Sequence, residues 1–450
     1  VTQMYAQVAV ENVNCTFDKD YDYSIPQQLE GKALVGCRVA VPFGIGNRKR
    51  IGIITRLTDS TQGKRIKSIS AVLDEAPLLS NEMMSLARWI SEQTFCTYYE
   101  AVKAMLPAGI NHKIIRSFCA VPGVDESVIA SLDSDEKQVY DYLLSRSGYI
   151  KPENFLKTLG FDVSSDIPER LLKAGLLAAN DDAVRNIGDN NIRMVRLCEG
   201  SDDVSMTKKQ SEVVNVLKDV GSVSVKELCY FTGYTPSVIS ALEKKGVVEC
   251  FEREELRSFV SRYAVQSAYD SGEIHLTDEQ QKAYDGLLED YKSGTGKTAL
   301  LYGVTGSGKT SVYLKLIDAV LADNKTVIVM VPEISLTPQT LSVFHSRYND
   351  GVAVFHSALS AGERADEWKR VKNGDAKIVI GTRSAVFAPL ENIGLIIIDE
   401  EQEHTYHSES APRYSAHDVA KRRAAAHGAL LLLASATPST ESFYAAQNGR

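Results

Sequence analysis

The chain has 450 residues, 44% of them hydrophobic, which is material for about three domains with cores of their own. A formal net charge of −8 excludes a protein that coats nucleic acid by bulk positive charge, so any nucleic-acid surface has to be local. No apolar run reaches the roughly 18 residues of a membrane span, and Val1-Thr2-Gln3-Met4-Tyr5 lacks the basic start and apolar core of a signal peptide. The seven cysteines (Cys15, Cys37, Cys96, Cys119, Cys198, Cys229, Cys250) are scattered and never spaced as Cys-x-x-Cys. That pattern predicts a reducing cytoplasm, no disulfide framework and no zinc site in this chain.

Residues 1 to about 72 read as β. Gln7–Val10, Arg38–Val41 and Arg50–Ile54 are short alternating or apolar runs punctuated by Pro26, Gly31, Gly36, Pro42, Gly44 and Gly46, as in a small barrel or sandwich. Tyr21-Asp22-Tyr23 stands just before Pro26. Two aromatics beside an acid can stack on an exposed base while the carboxylate accepts from a sugar hydroxyl; alternatively they are edge-strand aromatics packing on the core. From Arg48 to Lys67 the chain carries Arg48, Lys49, Arg50, Arg56, Lys64, Arg65 and Lys67 against the single acid Asp59. This is either a solvated basic hairpin or the local nucleic-acid surface. Ser80 to about Val102 reads as one helix, with Leu86, Ile90 and Phe95 on its buried face.

A weak repeat follows at an offset a little over seventy residues. Glu136–Leu144, Gly148 and Lys173-Ala174-Gly175-Leu176-Leu177 recur as Lys209–Leu217, Gly221 and Lys244-Lys245-Gly246-Val247-Val248. Each copy predicts three helices, the third ending in Lys-x-Gly, then an apolar strand: a winged-helix pattern. In the second copy Thr235-Pro236 supplies an N-cap and a first-turn proline. Neither third helix is basic, so docking or spacing fits as well as base reading. The charged connector Glu252-Arg253-Glu254-Glu255 closes this region.

From Leu276 onward the pattern is α/β. Apolar strands at Leu300–Tyr302, Val327–Val331, Val352–Phe355, Ile378–Ile380, Leu395–Ile398 and Leu430–Leu433 alternate with helical stretches, as in a parallel sheet buried on both faces. Gly303-Val304-Thr305-Gly306-Ser307-Gly308-Lys309-Thr310 lies between the first strand and a helix, the context of a phosphate-binding loop. Its backbone N–H groups and Lys309 suit phosphates, and the Thr310 hydroxyl suits magnesium. Gly294-Thr295-Gly296-Lys297-Thr298 imitates its ending, but Tyr291 occupies the place of the leading glycine and no strand precedes it, so a linker is expected. The run Leu395–Ile398 delivers Asp399 to hold the metal and Glu400 to activate water at the strand's carboxyl end. Gln280 can read an adenine edge through its amide, or belong to a capping box opened by Thr277. Pro332–Gln339 and Gly381–Phe387, including Arg383, offer hydroxyls, amides and a cation to a phosphate backbone. Ser435-Ala436-Thr437 can sense the hydrolysis site.

Phosphate loop, Asp-Glu, Gly-Thr-Arg and Ser-Ala-Thr, in that order, resemble the first motor lobe of a superfamily-two helicase. The longer forms Gly-Val-Thr-Gly-Ser-Gly-Lys-Thr, Val-Pro-Glu-Ile-Ser-Leu-Thr-Pro-Gln, Gly-Thr-Arg-Ser-Ala-Val-Phe-Ala-Pro-Leu and Ile-Asp-Glu-Glu resemble the primosomal replication-restart helicases, the PriA family. Tyr21–Pro26 and Gly36–Gly44 are similar to that family's 3′-DNA-binding domain. The resemblance implies an α/β multidomain chain: a β-rich 3′-DNA-binding domain over 1–115, a winged helix over 116–200, a second winged-helix-like unit or linker over 201–262, and a RecA-like ATP-binding lobe over 263–450.

It further implies a bacterial, cytoplasmic, nucleoid-associated 3′→5′ DNA helicase that uses ATP and Mg2+, recognises stalled forks and 3′ ends, and works with single-stranded-DNA-binding protein and other primosome proteins, with no membrane partner. By that resemblance Gln280, Gly303, Thr305, Gly306, Ser307, Gly308, Lys309 and Thr310 hold the nucleotide, and Thr310 with Asp399 the metal. Lys309, Asp399, Glu400 and Gln402 act in hydrolysis, and Ser435 and Thr437 in coupling. Asp22, Tyr23, Arg383, Arg413 and Tyr414 contact DNA, with Arg413-Tyr414 in the family's aromatic-rich loop.

Two departures stand out: Gln402 replaces the family's usual His, and one winged helix, not two, is usual. The second motor lobe and its cysteine-rich zinc module are expected to lie outside this chain, leaving a piece that binds nucleotide weakly and does not unwind DNA. The competing expectations are a restriction or recombination translocase sharing the motor, and a winged-helix DNA-binding protein with a vestigial ATPase.

Overall fold

The computed structural model describes residues 3–44, 46–61, 65–124, 128–129, 131–185, 191–198, 205–254 and 274–449. It divides into two compact units: residues 1–186 together with 263–450, and residues 187–262. Among the described residues no helix is long and apolar enough to cross a membrane.

The larger unit begins with a six-stranded sheet built from β1 (Tyr5–Val10), β2 (Tyr21–Ser24), β3 (Arg38–Phe43), β4 (Arg48–Thr58), β5 (Lys67–Ser68) and β6 (Ala71–Val72), in the order β5-β2-β1-β4-β3-β6. All pairs are antiparallel except β2 with β5. Ala6, Val8 and Val10 of β1 meet Tyr23, Val39, Val41 and Ile54 in its core. The single helix expected from Ser80 to Val102 is two. α1 (Asn81–Thr94) is capped by Ser80 and ends where Phe95 turns left-handed at φ 52°, and α2 (Tyr98–Met105) restarts from a Thr97–Glu100 capping box. That box satisfies the amide donors of a new helix start, so the chain breaks although the apolar spacing continues.

α1 and α2 share one core with the α/β lobe: Leu86, Ile90 and Tyr98 cluster with Trp368, Phe387, Ile396 and Tyr414. A buried cation fastens the two. Arg423 of α13 (Ala416–His427) donates to Glu82 at 3.1 and 3.2 Å and to the carbonyls of Val386, Ala388 and Leu390 at 2.8–3.3 Å.

The next element places three helices, α3 (Ser134–Leu144), α4 (Pro152–Leu159) and α5 (Ile167–Lys173), against an antiparallel ribbon of β7 (His112–Ala120) and β8 (Leu177–Arg185). β7 crosses the expected boundary at residue 115 because its partner strand lies at the far end of this element. The basic hairpin docks here: Arg48 pairs with Glu169 at 3.1 Å, and Lys49 donates to the Asp181 carbonyl at 2.7 Å. Arg116 bridges the same two acids. Arg48 and Lys49 are thus committed to the protein, as a structural hairpin would be, while Lys64 lies outside the described residues.

The smaller unit repeats the plan. β9 (Asn191–Leu197) pairs with β10 (Ser222–Ser224) and β11 (Val248–Glu254), beside α6 (Lys208–Val220), α7 (Val225–Thr232) and α8 (Pro236–Lys244). β9 therefore belongs with this unit, ahead of the expected boundary at residue 200. Glu255 lies outside the described residues.

The lobe is a parallel sheet ordered β12-β17-β16-β13-β15-β14, with β12 (Thr298–Tyr302), β13 (Thr326–Met330), β14 (Val352–Phe355), β15 (Ile378–Gly381), β16 (Ile393–Asp399) and β17 (Leu430–Ser435). Each strand coincides with a predicted apolar run, β13 stopping one residue short of Val331. Leu395–Ile398 are fully buried on both faces, the environment a central parallel strand imposes.

Candidate functional site

Residues 303–308 join β12 to α10 (Lys309–Ala322). Gly308 caps the helix with φ +80°, and a Cβ there would stand 2.3 Å from Gln280 Nε2, so only glycine lets the loop lie against that amide. Gln280 is held at both ends: its Oε1 accepts from Thr277 N at 2.9 Å and its Nε2 donates to Ser307 O at 2.9 Å. The expected capping box is built, with a strut to the phosphate loop added. Thr305, Gly306 and Thr310 are exposed; Gly303 and Ser307 are half-buried. Lys309 Nζ donates to Gly303 O at 2.7 Å and Val304 O at 3.3 Å. A cation satisfied only by neutral carbonyls, beside an exposed glycine-rich turn and a helix N-terminus, fits a polyphosphate with its metal. The imitation loop is a linker: Lys297 pairs with Asp290 at 2.6 Å and Thr298 opens β12.

Across the same sheet edge β16 delivers its acids. Asp399 Oδ1 accepts from Glu400 N at 3.0 Å, and Tyr313 of α10 donates to Oδ2 at 3.4 Å. Burial raises the Asp399 pKa, the Glu400 charge adds to the rise, and Lys309 opposes it. Glu400 itself sits at φ +47°, a left-handed backbone that turns the chain off the strand end. Gln402 Nε2 donates to Glu400 Oε2 at 3.0 Å while its Oε1 accepts from Ser435 Oγ at 2.5 Å, and Ser435 Oγ accepts in turn from Thr437 N at 2.9 Å. The four residues form one hydrogen-bonded chain from the acid to the last strand's loop.

Glu401 was missed by the sequence reading. It is buried and accepts from Ser439 N at 2.6 Å and Ser442 Oγ at 3.0 Å, pinning that same loop. The third acid of Asp-Glu-Glu was its only signal.

Arg383 lies in the short helical turn Arg383–Phe387 after β15, donating to Thr405 O at 3.2 Å and to His407 O. Tyr414 is buried, edge-on to Phe387 at 4.8 Å, with the Arg383 guanidinium 5.8 Å from its ring centroid. It braces its loop against the core and leaves one edge on the cavity above the turn. Arg413 is exposed. A cavity of about 360 Å³ lined by Glu333, Ser357, Thr382, Arg383, Thr405 and Tyr414 opens above this turn.

On the N-terminal sheet Asp22 accepts from Gln7 Nε2 at 3.3 Å and Thr61 Oγ1 at 2.6 Å. It lines a cavity of about 410 Å³ with Tyr21, Pro42, Gly44, Arg65 and Lys67. Tyr23 is buried and donates to Pro42 O at 3.1 Å, its pKa pushed by burial up to about 12, so it is not an open stacking surface. Tyr21, half-buried and edge-on to Phe43 at 5.0 Å, is the aromatic nearer that description.

The 3′ DNA-binding domain (3′BD) of PriA matches residues 7–107, and the DEAD/DEAH box helicase family matches residues 277–444. The replication restart protein PriA of Bacillus subtilis is 35% identical over 99% of this chain and 54% of its own length. The PriA proteins of Chlamydia pneumoniae and Synechocystis sp. are 30% and 32% identical, over 100% and 94% of this chain and 50% and 51% of theirs. Along nearly its whole length the chain is similar to the PriA family. It spans about half the length of the curated PriA relatives it matches. Among solved structures, RecG bound to a three-way DNA junction aligns with 40% of this chain and 23% of its own at 27% identity, with a TM-score of 0.30.

Proposed function

We propose that this chain is the fork-engaging, ATP-binding part of a 3′→5′ DNA helicase that recognises stalled forks and restarts replication. One observation carries the reading: the chain Glu400–Gln402–Ser435–Thr437, which ties the water-facing acid to the loops above the sheet. ATP with Mg2+ supplies a phosphoanhydride whose cleavage releases free energy. The backbone of Gly303, Thr305, Gly306, Ser307 and Gly308 binds its phosphates. Lys309 exchanges two neutral carbonyls for charged oxygens, and Thr310 and Asp399 are the metal's protein ligands. Glu400 takes the proton of the attacking water, and Gln402 reports its state to Ser435 and Thr437 through an amide that, unlike imidazole, does not titrate. Gln280 holds the loop in place.

On the DNA side, Asp22 accepts from the terminal 3′-hydroxyl in a pocket made cationic by Arg65 and Lys67, and Arg383 and Arg413 contact phosphates. Little sequence readout is involved, so affinity falls steeply with salt. Single-stranded-DNA-binding protein and primosome components on the bacterial nucleoid are its partners.

The test is binding to forks with a free or a blocked 3′ end, for wild type and Asp22→Ala. The reading expects only the wild type on the free end to bind tightly. Equal affinity in all four combinations removes end capture.

A further inference from the structure

Three buried N–H donors without an acceptor belong to side chains that line one cavity beside the turn Arg383–Phe387. They are Trp368 Nε1, Arg364 Nε and His356 Nε2. His356 Nδ1 accepts from Ala358 N at 3.2 Å, which leaves the ring proton on Nε2, and the Glu333 carboxylate is 3.9 Å from that nitrogen. The cavity, about 330 Å³, has apolar walls from Met105, Leu106 and Pro107 on one side and Phe355 and Trp368 on the other, with Lys103 exposed beside it. It exists because two regions close on each other. The turn at Gly109 approaches α12 (Ala361–Lys372) so tightly that a Cβ there would stand 2.0 Å from Ala361 O.

Buried donors with nothing to receive their hydrogens call for an acceptor-rich, anionic ligand. Apolar walls on two sides call for a flat hydrophobic body, and the volume suits a small organic group. A nucleotide joins both properties. His356, Arg364 and Ser384 line this cavity and also the 360 Å³ cavity above Arg383, so the two are neighbours sharing a wall. We propose that this pocket receives one unstacked nucleotide of the strand crossing that upper cavity, its base between Phe355, Trp368 and Met105 and its phosphate on the N–H groups of Arg364 and His356. The inference rests on the upper cavity being a DNA path. Continuity with that path favours DNA over an acidic peptide.

Only two tryptophans are present, so a Trp89→Phe chain leaves Trp368 as the sole reporter. It is titrated with a thymidine oligonucleotide whose binding is followed independently by the anisotropy of an end label. The expected result is quenching of Trp368 emission in step with anisotropy, and roughly tenfold weaker binding by Arg364→Gln from the loss of a charged donor. Anisotropy showing binding while Trp368 emission and its acrylamide access stay constant overturns the pocket and leaves the proposed function standing. No anisotropy change at any concentration overturns the DNA path, and the pocket with it. Quenching by a polyglutamate peptide but not by the oligonucleotide reassigns the pocket to protein. The emission readout decides even if Arg364→Gln fails to fold.

Discussion

Two six-stranded sheets face their ligands in opposite ways. In the parallel sheet every strand enters a loop at the same edge, so Lys309, the pair Asp399 and Gln402, and Ser435 meet although they belong to three separate βα units. Gln402 is already bonded to Glu400 on one side and to Ser435 on the other, as in a device that transmits a state. In the N-terminal sheet Asp22, Gly44 and Lys67 come from β2, the β3–β4 turn and β5, with no motif linking them. There the acid is held by Gln7 and Thr61 and faces open space, as a receptor would. On the proposed function, the parallel sheet changes state and the N-terminal one holds.

The largest expected break in this contrast is Glu400→Gln. In the full-length protein it lowers DNA-stimulated ATP turnover by about 10²–10⁴-fold, the range for a general base, with fork affinity retained. Turnover assays beside fork binding check both halves; loss of fork binding as well would mean the two sheets are not separable. Next is the seam between them. Glu82→Ala leaves the fully buried Arg423 without its counter-charge, and chemical denaturation should show about 3–5 kcal/mol lost. A smaller effect follows at the receptor: Asp22→Ala reduces the preference for a free 3′-hydroxyl by roughly tenfold, as for one hydrogen bond to a charged group.

The smallest effect is a gain. Burial raises the Asp399 pKa above its ordinary 3.8, so between the two values the folded chain keeps a proton that the unfolded chain has lost. Stability therefore falls as pH rises through that window and stays lower above it. Asp399→Asn removes the penalty and should raise Tm at pH 8, with the difference narrowing toward acid, while abolishing metal binding.

The lobe was legible because its evidence is local. Apolar runs mark strands buried on both faces, and each functional segment follows a strand directly. What escaped depends on distant partners. Nothing near Arg48 and Lys49 announces Glu169 and Asp181. Tyr23 and Tyr414 carry the residue types of a stacking surface, but which aromatic the core absorbs is decided by Pro42 and Phe387. The helix break at Phe95 was written in Thr97–Glu100 and overridden by apolar spacing that ran through it. Glu401 is fixed by Ser439 and Ser442, which lie 38 and 41 residues further along the chain.

The central claim is that hydrolysis and DNA engagement are joined through Gln402. The most direct measurement is the ratio of ATP turnover with and without fork DNA, in the full-length protein, for wild type and Gln402→Ala. The account predicts that cutting the Glu400–Gln402–Ser435 chain drives the ratio toward one. A variant stimulated by fork DNA as strongly as the wild type would contradict it.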